Sequence, residues 1–82
     1  MIDILYFAGV RERVGLPRER IETRAATVAE LIDQLVAMDA AHALAFADRA
    51  AIRAAVDQDL AEPETPLAGA REVAFFPPMT GG

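Results

Sequence analysis

Five large apolar residues, Val28, Leu31, Ile32, Leu35 and Val36, recur at the i, i+3, i+4, i+7, i+8 spacing that gathers side chains along one side of an α-helix. Glu30, Asp33 and Gln34 fall off that stripe. Thr27 and Glu30 stand at capping-box spacing, where each side chain satisfies the other's otherwise orphaned backbone N–H. The chain has 82 residues, enough for one domain. A helix with one apolar face must bury it, and the rest of the chain offers short strand-like segments for the purpose. The first expectation is therefore an α+β domain, with one main amphipathic helix laid on a sheet.

Ile2 to Phe7 is rich in branched and aromatic residues and apolar on both faces apart from Asp3, as a central strand would be. Ala8-Gly9 relaxes it, Val10–Val14 suits one helical turn, and Gly15-Leu16-Pro17 punctuates. Arg18–Arg24 is charged, with Ile21 its only large apolar residue, the pattern of a strand at a sheet edge. Ala40–Val56 supports two readings. Its alanines favour one helix over Ala43–Val56, whereas Ile52 and Val56 equally fit a short buried strand after Asp48-Arg49. Asp57–Pro66 is acidic, carries two prolines and reads as loop or irregular edge. Glu72–Phe76 is a final strand, ended by Pro77-Pro78, because proline has no N–H to give a ladder and holds the preceding residue extended. The chain thus divides into a folded domain over 1–76 and an extended tail over 77–82.

Composition narrows the chemistry. There is no cysteine, so disulfides, thiolate metal sites and cysteine catalysis are excluded, and folding rests on packing alone. All eight basic residues are arginine, so no lysine can form a Schiff base or receive an isopeptide bond. His42 is the only histidine, which excludes a His-rich zinc site and leaves little for acid–base catalysis; a helix-end or surface position is the expectation for it. No bound cofactor or metal is expected. The net charge of −5 argues against nucleic-acid binding and favours protein partners with basic surfaces. No apolar run approaches the ~20 residues of a membrane span, and Met1-Ile2-Asp3 lacks the basic start of a signal peptide, so a cytoplasmic location is expected, away from membranes.

The tail carries what chemistry remains. Gly81-Gly82 by itself reads as an ordinary frayed end. The prolines change that. Pro77, Pro78, Met79, Thr80, Gly81 and Gly82 span at most ~20 Å when extended, far enough to enter a pocket in another protein. Glycines can thread a channel too narrow for side chains, and prolines reduce the freedom lost on docking, which is about 1–2 kcal/mol per backbone residue fixed. The reactive group is then the Gly82 carboxylate. Ionised, it is a poor electrophile and requires activation by a partner. Adenylation with ATP followed by attack of a sulfur donor would give a thiocarboxylate, a sulfur nucleophile that needs no cysteine; the same activation can instead lead to an amide bond.

At Phe75-Phe76-Pro77-Pro78-Met79-Thr80-Gly81-Gly82 the sequence resembles the MoaD-type sulfur carriers, small subunits of molybdopterin synthase. The likeness runs through Ala8-Gly9-Val10-Arg11-Glu12, the Thr27-capped helix, Ala54-Ala55-Val56, Pro66-Leu67 and Glu72-Val73-Ala74. It implies a β-grasp fold like that of ubiquitin, with Ala50–Val56 a strand. It also implies an ATP-dependent adenylating enzyme acting on Gly82, conversion of the glycyl adenylate to 1-thioglycine, and insertion of the tail into a large catalytic subunit. There the sulfur passes to a cyclic pyranopterin precursor on the way to molybdenum cofactor, typically within a heterotetramer. The chain itself would be a non-catalytic subunit, with ATP used by the partner. Two positions depart from the family pattern: Asp57 replaces a common asparagine, and Gly69-Ala70-Arg71 stands where Asp-Gly-Asp is usual. Both bear on turn type, since Gly and Asn accept positive φ more readily than Ala or Arg.

The resemblance tilts Phe75 towards contact with the large subunit, although alternation along the strand leaves core and interface open for it. Arg11 is a candidate for pairing with partner acids, against the ordinary alternative of solvated surface charge. The acids Asp57, Asp59, Glu62 and Glu64 read as a solvated loop that can steer basic partners. Three other functions stay in view: a thiamine-pathway sulfur carrier, a ubiquitin-like protein modifier, and a non-covalent interaction module with an inert tail.

Overall fold

A computed structural model describes residues 1–78 of the chain; Met79, Thr80, Gly81 and Gly82, and the expectations placed on them, lie outside the described residues. The elements in order are β1 (Ile2–Tyr6), α1 (Ala8–Val14), β2 (Arg18–Ile21), α2 (Val28–Val36), α3 (Ala40–Ala45), a 3-10 turn (Arg49–Ala51), β3 (Arg53–Val56), β4 (Asp59–Ala61) and β5 (Glu72–Phe76). The strands form one sheet in the order β2-β1-β5-β3-β4. β1 and β5 are parallel at its centre, and every other neighbouring pair is antiparallel. First and last strands side by side, with the helices packed on one face, make the β-grasp fold.

Alternation along the strands sorts side chains between the two faces. Ile2, Ile4 and Tyr6 of β1, Val73 and Phe75 of β5 and Ala54 of β3 turn to the helices and are buried with Val28, Leu31, Ile32 and Leu35 of α2. The stripe read from sequence is thus the stripe that packs, except that Val36 at the helix end is only half-buried. Thr27 Oγ1 accepts the N–H of Glu30 at 3.3 Å, while the Glu30 carboxylate reaches back to the N–H of Ala26 at 3.4 Å rather than to that of Thr27. The capping box is present but displaced by one residue on its acidic arm.

Several expectations are corrected. The helical segment near Val10 covers Ala8–Val14 and is closed by Gly15, whose φ of 90° lets its N–H return to the carbonyl of Arg11 at 2.8 Å. Of the two readings of Ala40–Val56, the single helix fails and the short strand after Asp48-Arg49 holds, with Val56 in it and Ile52 just before it. The segment breaks into α3, the 3-10 turn and β3, so the strand implied by resemblance begins at Arg53, three residues later than Ala50. Alanine propensity loses here because β3 is paired on both sides, with β5 and with β4. Asp59–Ala61, expected as loop or irregular edge, is a short edge strand. His42 is not at the surface but 3% exposed.

The turn from β3 to β4 places Asp57 at φ 48° and Gln58 at φ 74°, the paired left-handed conformation of a tight hairpin. Asp57 secures it by three bonds. Its Oδ1 accepts the N–H of Arg71 at 2.9 Å and of Glu72 at 3.0 Å, and its own N–H donates to the carbonyl of Glu72 at 3.0 Å. Only an acceptor oxygen is needed, and the aspartate supplies it. In Gly69-Ala70-Arg71 the glycine alone takes a positive φ, 77°.

Candidate functional site

β5 delivers the tail from the middle of the sheet. Phe75 faces the helices with no exposed surface; its ring lies edge-on to Phe46 at 5.0 Å and alongside Tyr6 at 6.4 Å. That placement corrects the expectation of a partner contact for Phe75: a side chain enclosed by this chain's own core has nothing left to offer a second protein. The carbonyl of Phe75 accepts the N–H of Phe7 at 3.0 Å, and Phe76 stands opposite Arg53 in the ladder. Pairing then ends, since Pro77 has no N–H, and Pro77 and Pro78 are both exposed.

Two surfaces flank this exit. On the helix side, Pro77 and Pro78 border a groove walled by Val10 and Arg13 of α1, by Ala45 at the end of α3 and by Asp48 just before the 3-10 turn. Arg13, not Arg11, is the α1 arginine at this groove. Arg11 is exposed, lies in a separate shallow depression with Glu12 and Leu16, and makes no ion pair among the described residues. On the open side, Pro78 lies with Phe76, Leu60 and Arg53.

Strand register shows what that open side is made of. Leu5 of β1 is level with Ala74 of β5, Ala74 with Ala55 of β3, and Ala55 with Leu60 of β4. Leu60 is 80% exposed and Phe7, just past the end of β1, is 48% exposed. Between them Leu5, Ala55 and Phe76 are half-buried and the small Ala74 is buried, so the strip is apolar throughout but exposed chiefly at Leu60 and Phe7. Arg18, level with Leu5, and Arg53, level with Phe76, stand at its rim. Exposed apolar surface with a polar rim is the signature of a protein-binding site. Sequence reasoning missed Phe7 and Leu60. The signal for Leu60 was present, a lone large apolar residue within the acidic run Asp57–Pro66, but its significance depends on a sheet that only long-range pairing creates.

Comparison with known proteins agrees with this architecture. Residues 4–82 match the ThiS family. The molybdopterin synthase sulfur carrier subunit of Escherichia coli strain K12 is 43% identical over 82 residues, covering all of both chains. The molybdopterin synthase sulfur carrier subunit of Haemophilus influenzae is 33% identical, again over the full length of both. Among solved structures, SAMP1 from Haloferax volcanii superposes with a TM-score of 0.75 at 27% identity, covering 99% of this chain and 98% of that one. With the family matched from β1 to the last residue and two relatives aligned end to end, the chain belongs to the ThiS family.

Proposed function

We propose that this chain is the sulfur carrier of a molybdopterin synthase and that the carboxyl carbon of Gly82 is its single reactive centre. The full-length 43% identity to a protein of that name is the observation that carries the reading. The exit of β5 supports it: a buried strand runs directly into two exposed prolines beside an uncovered apolar strip, an arrangement suited to presenting a tail while the sheet is held by a partner.

The chemistry proceeds in steps that balance. The Gly82 carboxylate attacks the α-phosphorus of ATP on an activating enzyme, giving the glycyl adenylate and pyrophosphate. Hydrosulfide, delivered by a sulfur donor, then attacks the carbonyl carbon: the C–S bond forms, the C–O bond to AMP breaks, AMP leaves, and loss of the sulfur-bound proton gives the thiocarboxylate. Inserted into the large subunit, the thiocarboxylate sulfur bonds to a carbon of the pyranopterin precursor as an oxygen substituent leaves. Water then cleaves the resulting thioester, leaving sulfur on the precursor and returning the Gly82 carboxylate, and two such transfers complete the dithiolene. Nothing in this sequence asks a side chain of the carrier to move a proton or bind a cofactor. The proposed setting is a cytoplasmic heterotetramer in which the large subunit supplies the catalytic pocket. The apolar strip with Arg18 and Arg53 at its rim is the proposed docking face for partners.

Intact mass tests the proposal. After incubation with the activating enzyme, ATP and a sulfur source, the chain should gain about 16 Da, the exchange of one oxygen for sulfur, and the chain lacking Gly82 should not. An unchanged mass in the intact chain would sink the reading. Slower-migrating conjugates carrying this chain would point instead to protein modification.

A further inference from the structure

His42 sits where three elements meet. Tyr6 comes from the end of β1 and Glu19 from β2, while Asp39 caps α3, the helix that carries His42 itself. The Tyr6 hydroxyl donates to Oε2 of Glu19 at 2.8 Å, and Nε2 of His42 lies 2.7 Å from that same oxygen. On the other side of the ring, Asp39 Oδ1 accepts the backbone N–H of His42 at 2.8 Å and lies 2.7 Å from Nδ1.

With both carboxylates ionised, these contacts select the charge of the ring. An ionised carboxylate only accepts hydrogen bonds, and a neutral imidazole has one N–H and one lone pair. Whichever tautomer a neutral ring adopted, it would press its lone pair against a carboxylate oxygen at 2.7 Å. Only the imidazolium donates at both nitrogens. We infer that His42 is held as an imidazolium that clamps α3 to the β1–β2 side of the sheet, and that its deprotonation as pH rises frees the first turn of α3.

The surroundings support the clamp. Burial opposes the charge on His42, but the hydrogen bonds to Glu19 and Asp39 outweigh it and raise the ring above its ordinary value. Asp39 is held below the usual carboxylate range, chiefly by the His42 backbone N–H and then by the ring. Tyr6 is kept protonated by burial and by Glu19. From the other elements packed on α3 no competing charge faces the ring: Arg11, Glu12 and Arg13 of α1 are exposed, and Asp33 of α2 pairs with Arg49 at 2.7 Å. The device reaches the tail exit as well, because α3 ends in Ala45, one wall of the groove beside Pro77 and Pro78. It does not depend on what the tail carries.

Ring nitrogen chemical shifts of the intact chain, followed against pH, provide the test. Both nitrogens should be protonated below a midpoint that lies above the ordinary 6.5. Exchange protection of the α3 amides, corrected for intrinsic rates, should fall through the same midpoint. Asp39→Asn, at a side chain 55% exposed, keeps the fold and should lower the midpoint; Glu19→Gln should lower it too. A midpoint at or below 6.5, or one that neither variant moves, would overturn the inference. So would α3 protection that falls as steeply with pH in His42→Gln as in the wild type.

Discussion

The adjacent phenylalanines at the end of β5 have opposite roles because successive side chains of a strand point to opposite faces. Phe75 fills the core between Tyr6 and Phe46, and Phe76 lies half-buried on the open face beside Leu60. Replacing Phe75 by alanine should cost about 3–5 kcal/mol in denaturant unfolding, since a ring with no exposed surface leaves a cavity its neighbours only partly fill. Phe76→Ala should cost roughly 1 kcal/mol, and should instead weaken binding to the partner proteins. Equal losses of stability in the two variants would show that the faces have been assigned wrongly. The sequence marks this pair as alternating but does not say which ring is inside. That follows from the register of β5 against β1, a contact across most of the chain. Asp57 shows a different kind of legibility. Its position stood out as a departure from the family, yet the bonds it accepts from Arg71 and Glu72 require an oxygen and not an amide, so the turn survives the change.

Among the elements, α2 was readable because everything that makes it a helix is local: a cap, a stripe of period 3.6 and no interrupting glycine or proline. The cap can be weighed. Thr27→Ala should lower stability by about 1 kcal/mol, the usual cost of losing an N-cap oxygen. Glu30→Ala should cost less, about 0.5 kcal/mol, because its bond to Ala26 is long and solvent-exposed. Urea midpoints of the two variants decide the order, and a larger loss for Glu30→Ala would contradict the displaced box. β3 was not readable for the complementary reason. Arg53-Ala54-Ala55-Val56 has helix-favouring alanines and no alternation of large residues. Its identity comes from two partners, β5 on one side and β4 on the other. β4 is similar: in Asp59-Leu60-Ala61 nothing but pairing makes a strand.

For the molecule as a whole, membership of the family was legible in a string of eight residues, and the open apolar face beside β5 was not, because that face is assembled from β1, β3, β4 and β5. His42 was misplaced for the same reason: a single histidine among alanines gives no local sign that Glu19, over twenty residues away, will meet it. Its burial gives the intact protein a pH profile with a definite sign. The folded-state pKa values of Asp3, lowered by its hydrogen bond from Arg20, and of Asp39 lie below the ordinary 3.8. What these groups contribute is present above 3.8 and is lost as pH falls through the folded values. The folded-state pKa of His42 lies above 6.5, so its contribution is complete below 6.5 and is lost as pH rises through the folded value. Both sets act together between those limits, which places maximal stability on the acid side of neutrality. The net charge of −5 pushes in the same direction, since like charges repel more as remaining protons are lost. Urea midpoints across pH at constant ionic strength separate the two causes. In His42→Gln the alkaline decline should become shallower while that from general repulsion remains, and a wild-type stability that rises from pH 6.5 to about 9 would contradict the linkage.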